Sequence, residues 1–141
     1  MKSLRSSILL FFLLSFGVLF YGNAYAQSSL KLSNTPKAFQ TFYAKFKAAV
    51  ARKDKKAVAA LTKFPFRYGW DAGDEGTYSK AEFTKNFKRI FEGGTKLFGK
   101  SNPTFTVDGS TYDLTNNDDA SHYIFKKIGS RYWFTSMIVE P

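Results

Sequence analysis

His122 is the only histidine of the chain, and cysteine is absent. A zinc-cysteine centre, a thiol nucleophile, a disulfide framework and a lipidated cysteine are therefore excluded, and one histidine cannot build a histidine cluster for a metal. Any general base must be His122 or a carboxylate. Among the acids, Asp71 and Asp74 sit in the segment Asp71-Ala72-Gly73-Asp74-Glu75-Gly76, whose glycines and acids read as a solvated loop. Asp108 precedes Gly109 and reads as turn chemistry. There is no Ser-His-Asp constellation, phosphate-cradling glycine loop or calcium-loop pattern, and no cofactor is expected. A lone histidine carries little positional information, and a surface or edge position for His122 is the simpler expectation.

The aromatic residues give the other chemical signal. There are 16 Phe, 8 Tyr and 2 Trp in 141 residues. Phe42, Phe46, Phe66, Tyr68, Phe83, Phe87, Tyr112, Tyr123, Phe125 and Phe134 recur at helix and strand periods. Such rings either line an apolar cavity for a small hydrophobic ligand or pack together as a filled core.

The elements that position these residues follow an address segment. Lys2 and Arg5 precede the uncharged run Ile8 to Phe20 and the small-residue pattern Ala24-Tyr25-Ala26, which reads as a signal peptide over residues 1–26. The run is shorter than the roughly 20 residues that span a bilayer as a helix. The expected product is a single domain over residues 27–141, periplasmic or secreted. Six aromatics and two basic residues belong to the signal, leaving 19 Lys+Arg against 11 Asp+Glu and a net charge of +8. These charges are dispersed over predicted helices and strands, so nucleic acid is not an expected partner. At most they imply peripheral attraction to an anionic envelope surface.

In the mature chain, Thr35 is placed to cap a helix with Pro36 at its first position, and Phe39, Phe42, Tyr43, Phe46, Ala49 and Val50 form its apolar stripe up to about Arg52. Asp54 caps a short second helix carrying Val58 and Leu61. Phe64 to Trp70 alternates like a strand, with Pro65 confining it to an edge or a strand start. Ser79-Lys80-Ala81-Glu82 is a capping box opening a third helix through Phe83, Phe87, Ile90 and Phe91, stopped by Gly93-Gly94. Four strands follow at 104–108, 110–115, 120–127 and 131–139, joined as an antiparallel meander. The fold class is α+β, three N-terminal helices packed on a curved, mainly antiparallel sheet. On strand parity His122 goes with Ile124 and Tyr123 with Phe125; parity does not set which pair faces inward.

This order, with Phe64-Pro65-Phe66, Arg89-Ile90-Phe91 and the closing run Tyr132-Trp133-Phe134-Thr135-Ser136, resembles the nuclear transport factor 2-like superfamily, a cystatin-like cone that includes ketosteroid isomerase-like enzymes. It looks especially like small exported bacterial members. The resemblance implies a cone made by a curved sheet around a long helix, and pairing through the sheet face in a homodimer. In enzymes of that superfamily an Asp, or a His paired with an Asp, acts as base inside the cone, often with a Tyr as oxyanion donor. The positions this brings forward are His122, Asp71 and Tyr43. The superfamily also holds many binding domains without catalysis, so the fold does not decide the function. The expectation is a non-catalytic binder of a small apolar molecule or a partner protein, with an isomerase, dehydratase or cyclase as the alternative.

Overall fold

The structure is a computed structural model that describes residues 26–140. The segment read as a signal peptide lies outside the described residues, apart from Ala26. Seven strands form one curved sheet in the order β1-β4-β5-β6-β7-β2-β3. They are β1 (Ser28–Lys31), β2 (Thr62–Trp70), β3 (Asp74–Tyr78), β4 (Thr104–Asp108), β5 (Thr111–Asn116), β6 (Ser121–Ile128) and β7 (Arg131–Val139). Five helices accompany them: α1 (Lys37–Ala51), α2 (Lys55–Ala60), α3 (Lys80–Lys85), α4 (Phe87–Phe91) and α5 (Thr95–Phe98). The α+β class and the β4 to β7 meander are as expected. The helices are not all N-terminal, however, because β1 precedes them and the β2-β3 hairpin separates α2 from α3.

Helix α1 forms because its apolar residues return every three to four positions, and this stripe is what the sheet covers. Phe39, Phe42, Tyr43, Phe46 and Ala49 are buried. Phe39 stacks on Tyr112 with centroids 4.1 Å apart and meets Phe105 edge-on at 5.1 Å. Phe46 meets Phe125 at 5.1 Å and Phe134 at 4.9 Å. The helix starts one residue later than expected, and Thr35 does not cap it. The Thr35 hydroxyl instead donates to the Leu32 carbonyl, closing a 3₁₀ turn over 32–34. Asp54 does cap α2, accepting from the Ala57 amide at 3.0 Å.

Both elements after α2 depart from expectation for physical reasons. Strand β2 is interior, parallel to β7 and antiparallel to β3, and begins at Thr62, so Pro65 is neither on an edge nor at the strand start. The chain tolerates it because pairing with β7 is irregular between Thr62 and Arg67, and β3 begins to pair only at Phe66. The acidic segment after Trp70 is a loop only through Gly73; Asp74 to Tyr78 is a strand at the sheet edge. The capping box is present, Ser79 and Glu82 each accepting the other's backbone N–H. The predicted third helix is broken at Asn86, whose side-chain amide donates to the Glu82 carbonyl. The Glu82 carbonyl also accepts the Asn86 backbone N–H at 2.9 Å, so the break lies in the Asn86 backbone itself, whose φ −92° and ψ 8° leave the helical region and divide the segment into α3 and α4.

Candidate functional site

The ten rings singled out by the sequence do not converge on one cavity. Phe46, Phe66, Phe83, Tyr123, Phe125 and Phe134 have no exposed surface, and Phe134 alone lies 4.8 to 6.4 Å from the ring centres of all the other five. Phe42 packs on α1's own neighbours and on Phe125. Such distances are those of packed aromatic pairs, so these side chains fill the interior. Tyr68 is half-buried near the sheet edge, stacked on Tyr78 at 4.0 Å. Tyr112 borders a shallow depression with Pro36, Asp108 and Tyr132. Of the ten, Phe87 alone borders the apolar groove described next.

That groove, of about 550 Å³, lies on the helical side between the end of α1, the start of α2, and α4 and α5. Its apolar walls are Val50, Ala51, Phe87, Phe91 and Phe98, and its polar rim is Lys53, Lys55, Lys88, Glu92 and Thr95. The volume is within the range of about 300–1,000 Å³ usual for small-molecule sites. Phe87, Phe91 and Phe98 are only 5%, 6% and 4% exposed, so they form a recessed floor. Lys55 holds its ammonium 6.0 Å from the centre of the Phe87 ring.

The groove walls are fixed from the sheet side. Gly93-Gly94 ends α4, and the turn is pinned by the Asn116 side-chain amide donating to the Gly93 carbonyl at 2.9 Å. The Tyr123 hydroxyl, pushed up to about 12 chiefly by burial, donates to the Ile90 carbonyl at 3.2 Å. A Cβ at Gly94 would come within 2.6 Å of that hydroxyl and 2.7 Å of the Phe98 ring, so a glycine is required for the approach. The other wall ends in a Schellman turn: the Asp54 amide donates to the Ala49 carbonyl at 3.0 Å and the Lys53 amide to Val50 at 2.9 Å. Lys53 occupies the left-handed position, φ 54°, where glycine is the usual residue.

The catalytic candidates are dispersed. His122 is on the sheet face turned away from the helices, since Tyr123 and Phe125 take the inner face. It does have a carboxylate partner: its Nδ1 lies 2.7 Å from Asp113 Oδ2 and 3.3 Å from the Thr115 hydroxyl, and its Nε2 lies 3.6 Å from Glu140. This histidine and aspartate pair is therefore outside the interior in which the resemblance implies a base. Asp71 is exposed, its carboxylate accepting from the Ala72 amide. Tyr43 is enclosed among Phe39, Phe105 and Phe125, its hydroxyl has no protein partner, and burial raises its pKa. His122, Asp71 and Tyr43 stand on three different parts of the fold and do not form one site.

No family model and no curated protein matches this chain. Solved structures do resemble it. An NTF-2-like protein of unknown function from Shewanella oneidensis is 13% identical, with 72% of this chain and 94% of that one covered and a TM-score of 0.41. A Xanthomonas campestris protein named as a candidate calcium/calmodulin dependent protein kinase II association domain is 12% identical, with 83% and 96% covered and a TM-score of 0.42. A protein of unknown function with a cystatin-like fold from Nostoc punctiforme is 11% identical, with 74% and 90% covered and a TM-score of 0.39.

Sequence reasoning missed Val50, Phe91 and Phe98 as groove residues and the three lysines as its rim. Val50 and Phe91 were visible as members of helical stripes, but periodicity marks an apolar face without telling which rim of it stays uncovered. Phe98 follows the glycine pair and lies in a single helical turn too short to show a period. The Asp113 and His122 pair had a signal in strand pairing, because Asp113 faces Ile124 and Thr115 faces His122 across β5 and β6.

Proposed function

We propose that this chain is an exported, non-catalytic binding domain that takes a small apolar molecule in the groove between α1, α2, α4 and α5. The observation that carries the reading is the recessed floor of Phe87, Phe91 and Phe98 beside a filled interior, which makes the groove an apolar concavity that a ligand can enter. Export rests on the basic, apolar and small-residue pattern of residues 1–26. A ligand that binds only the folded form stabilises it in proportion to its occupancy. Medium-length alkyl chains and ring compounds are expected to raise the melting temperature of the purified protein, and the Ala51→Trp variant, with its groove plugged, is expected to lose the shift. A panel producing no shift contradicts the reading.

The sheet's outer face supports a second association. Ile124, Trp133 and Ile138 are half-buried there. Trp133 lies under the Arg131 guanidinium at 4.5 Å, so Ile124 and Ile138 are the apolar side chains through which this face could meet a second copy. Light scattering of the wild type against Ile124→Lys tests it: a dimer made monomeric by the charge supports pairing through this face, and a wild-type monomer at high concentration contradicts it.

A further inference from the structure

We infer that the ligand of the groove is a free single-chain amphiphile with an anionic head, its chain on the phenylalanine floor and its head between Lys53, Lys55 and Lys88. This rests on the groove being a binding site and adds the chemical class. Three lysines against the single Glu92 give the rim a positive potential beside a floor without charge. That combination complements a molecule with both a hydrocarbon body and a negative end. Lys55 is already held over Phe87, so its ammonium stands where chain and head would meet.

Lys53 sits at a left-handed backbone position, as Ala72 and Ala120 do, and its side chain lines the groove rim. The occupant is a free molecule rather than a bilayer surface because the three rings are recessed. Membrane-inserting faces present protruding apolar side chains, whereas Phe87, Phe91 and Phe98 are each at most 6% exposed.

Titration of the purified protein with decanoate, decanol and decyltrimethylammonium, each below its aggregation threshold, tests the inference. Decanoate is expected to bind about ten-fold more tightly than decanol, and the cation more weakly than either, with the advantage of decanoate shrinking at high salt. The triple variant Lys53→Gln, Lys55→Gln, Lys88→Gln changes exposed side chains, and its melting curve verifies folding; it is expected to bind decanoate no better than decanol. Equal wild-type affinities for decanoate and decanol overturn the anionic head while leaving the groove as an apolar site. No binding of any of the three overturns the groove reading as well. Association with anionic phosphatidylglycerol vesicles without binding of free decanoate overturns the free ligand in favour of a surface.

Discussion

Lys55 holds its ammonium 6.0 Å from the centre of the Phe87 ring, so a cation and the apolar floor of the helix-side groove are within reach of one small molecule. The two residues come from different helices, α2 and α4. The Schellman turn at Lys53 and the Asp54 cap set the first, and the glycine turn pinned by Asn116 and Tyr123 sets the second. The groove is thus a product of tertiary packing rather than of one motif.

Lys53→Gly separates stability from binding. A left-handed residue with a Cβ costs roughly 1–2 kcal/mol, part of which is offset by the greater freedom of glycine in the unfolded chain. The variant is expected to be more stable by about 0.5–1 kcal/mol in urea unfolding, while affinity for decanoate falls about two- to five-fold. A variant that is both less stable and unchanged in affinity contradicts the role given to Lys53.

Phe134→Ala tests the filled interior. The ring is fully enclosed, with Phe66 at 4.8 Å and Phe46 at 4.9 Å. Removing it leaves a cavity that costs about 3–5 kcal/mol, a large part of the stability of a domain this size. A loss below about 1 kcal/mol would show that the ring borders space already open.

Gly94→Ala bears on how the groove wall is held. The added methyl would lie 2.6 Å from the Tyr123 hydroxyl and 2.7 Å from Phe98, so the turn between α4 and α5 must shift. The expected outcome is destabilisation by about 1–3 kcal/mol, as for other overpacked sites, together with weaker ligand binding. Wild-type stability and affinity together contradict the close approach.

The capping box makes stability depend on pH through Glu82. The Ser79 amide donating to its carboxylate, and then the Ser79 side chain, hold its pKa below the ordinary value of 4.5. A carboxyl depressed on folding contributes stability above its unfolded pKa and loses that contribution as pH falls through the lower, folded value. Unfolding midpoints from pH 7 down to pH 3 are therefore expected to fall more steeply for the wild type than for Glu82→Gln. Identical pH profiles would remove Glu82 from the account of acid sensitivity.

What the sequence made legible follows from where each element lies in the sheet. Phe39, Phe42, Tyr43 and Phe46 announce α1 because one face of it is covered, and Tyr112, Leu114, Tyr123 and Phe125 alternate because β5 and β6 are central strands with one covered face. The two strands that were not foreseen, Ser28–Lys31 and Asp74–Tyr78, are the two edges of the sheet. An edge strand is held on one side by backbone bonds and needs little apolar alternation, so Ser-Ser-Leu-Lys and Asp-Glu-Gly-Thr-Tyr carry no strand signal of their own. The same limit applies to the site. Phe87 and Phe91 were visible as helix stripe, but that they border a groove while Phe83 is enclosed depends on α5 and the Gly93-Gly94 turn, which no local period encodes. For His122 the parity was legible and the direction was not, because the choice of inner face is made by α1 packing on Tyr112 and Phe125.

The most direct measurement of the central claim is an NMR titration of the protein with decanoate, following amide and aromatic resonances. The expected result is saturable shifts confined to Val50 to Lys55, Phe87 to Glu92, and Thr95 to Gly99, the segments that wall the groove. Shifts concentrated instead at Asp113, His122 and the outer sheet face, or no saturable shift at all, would contradict a ligand site on the helical side.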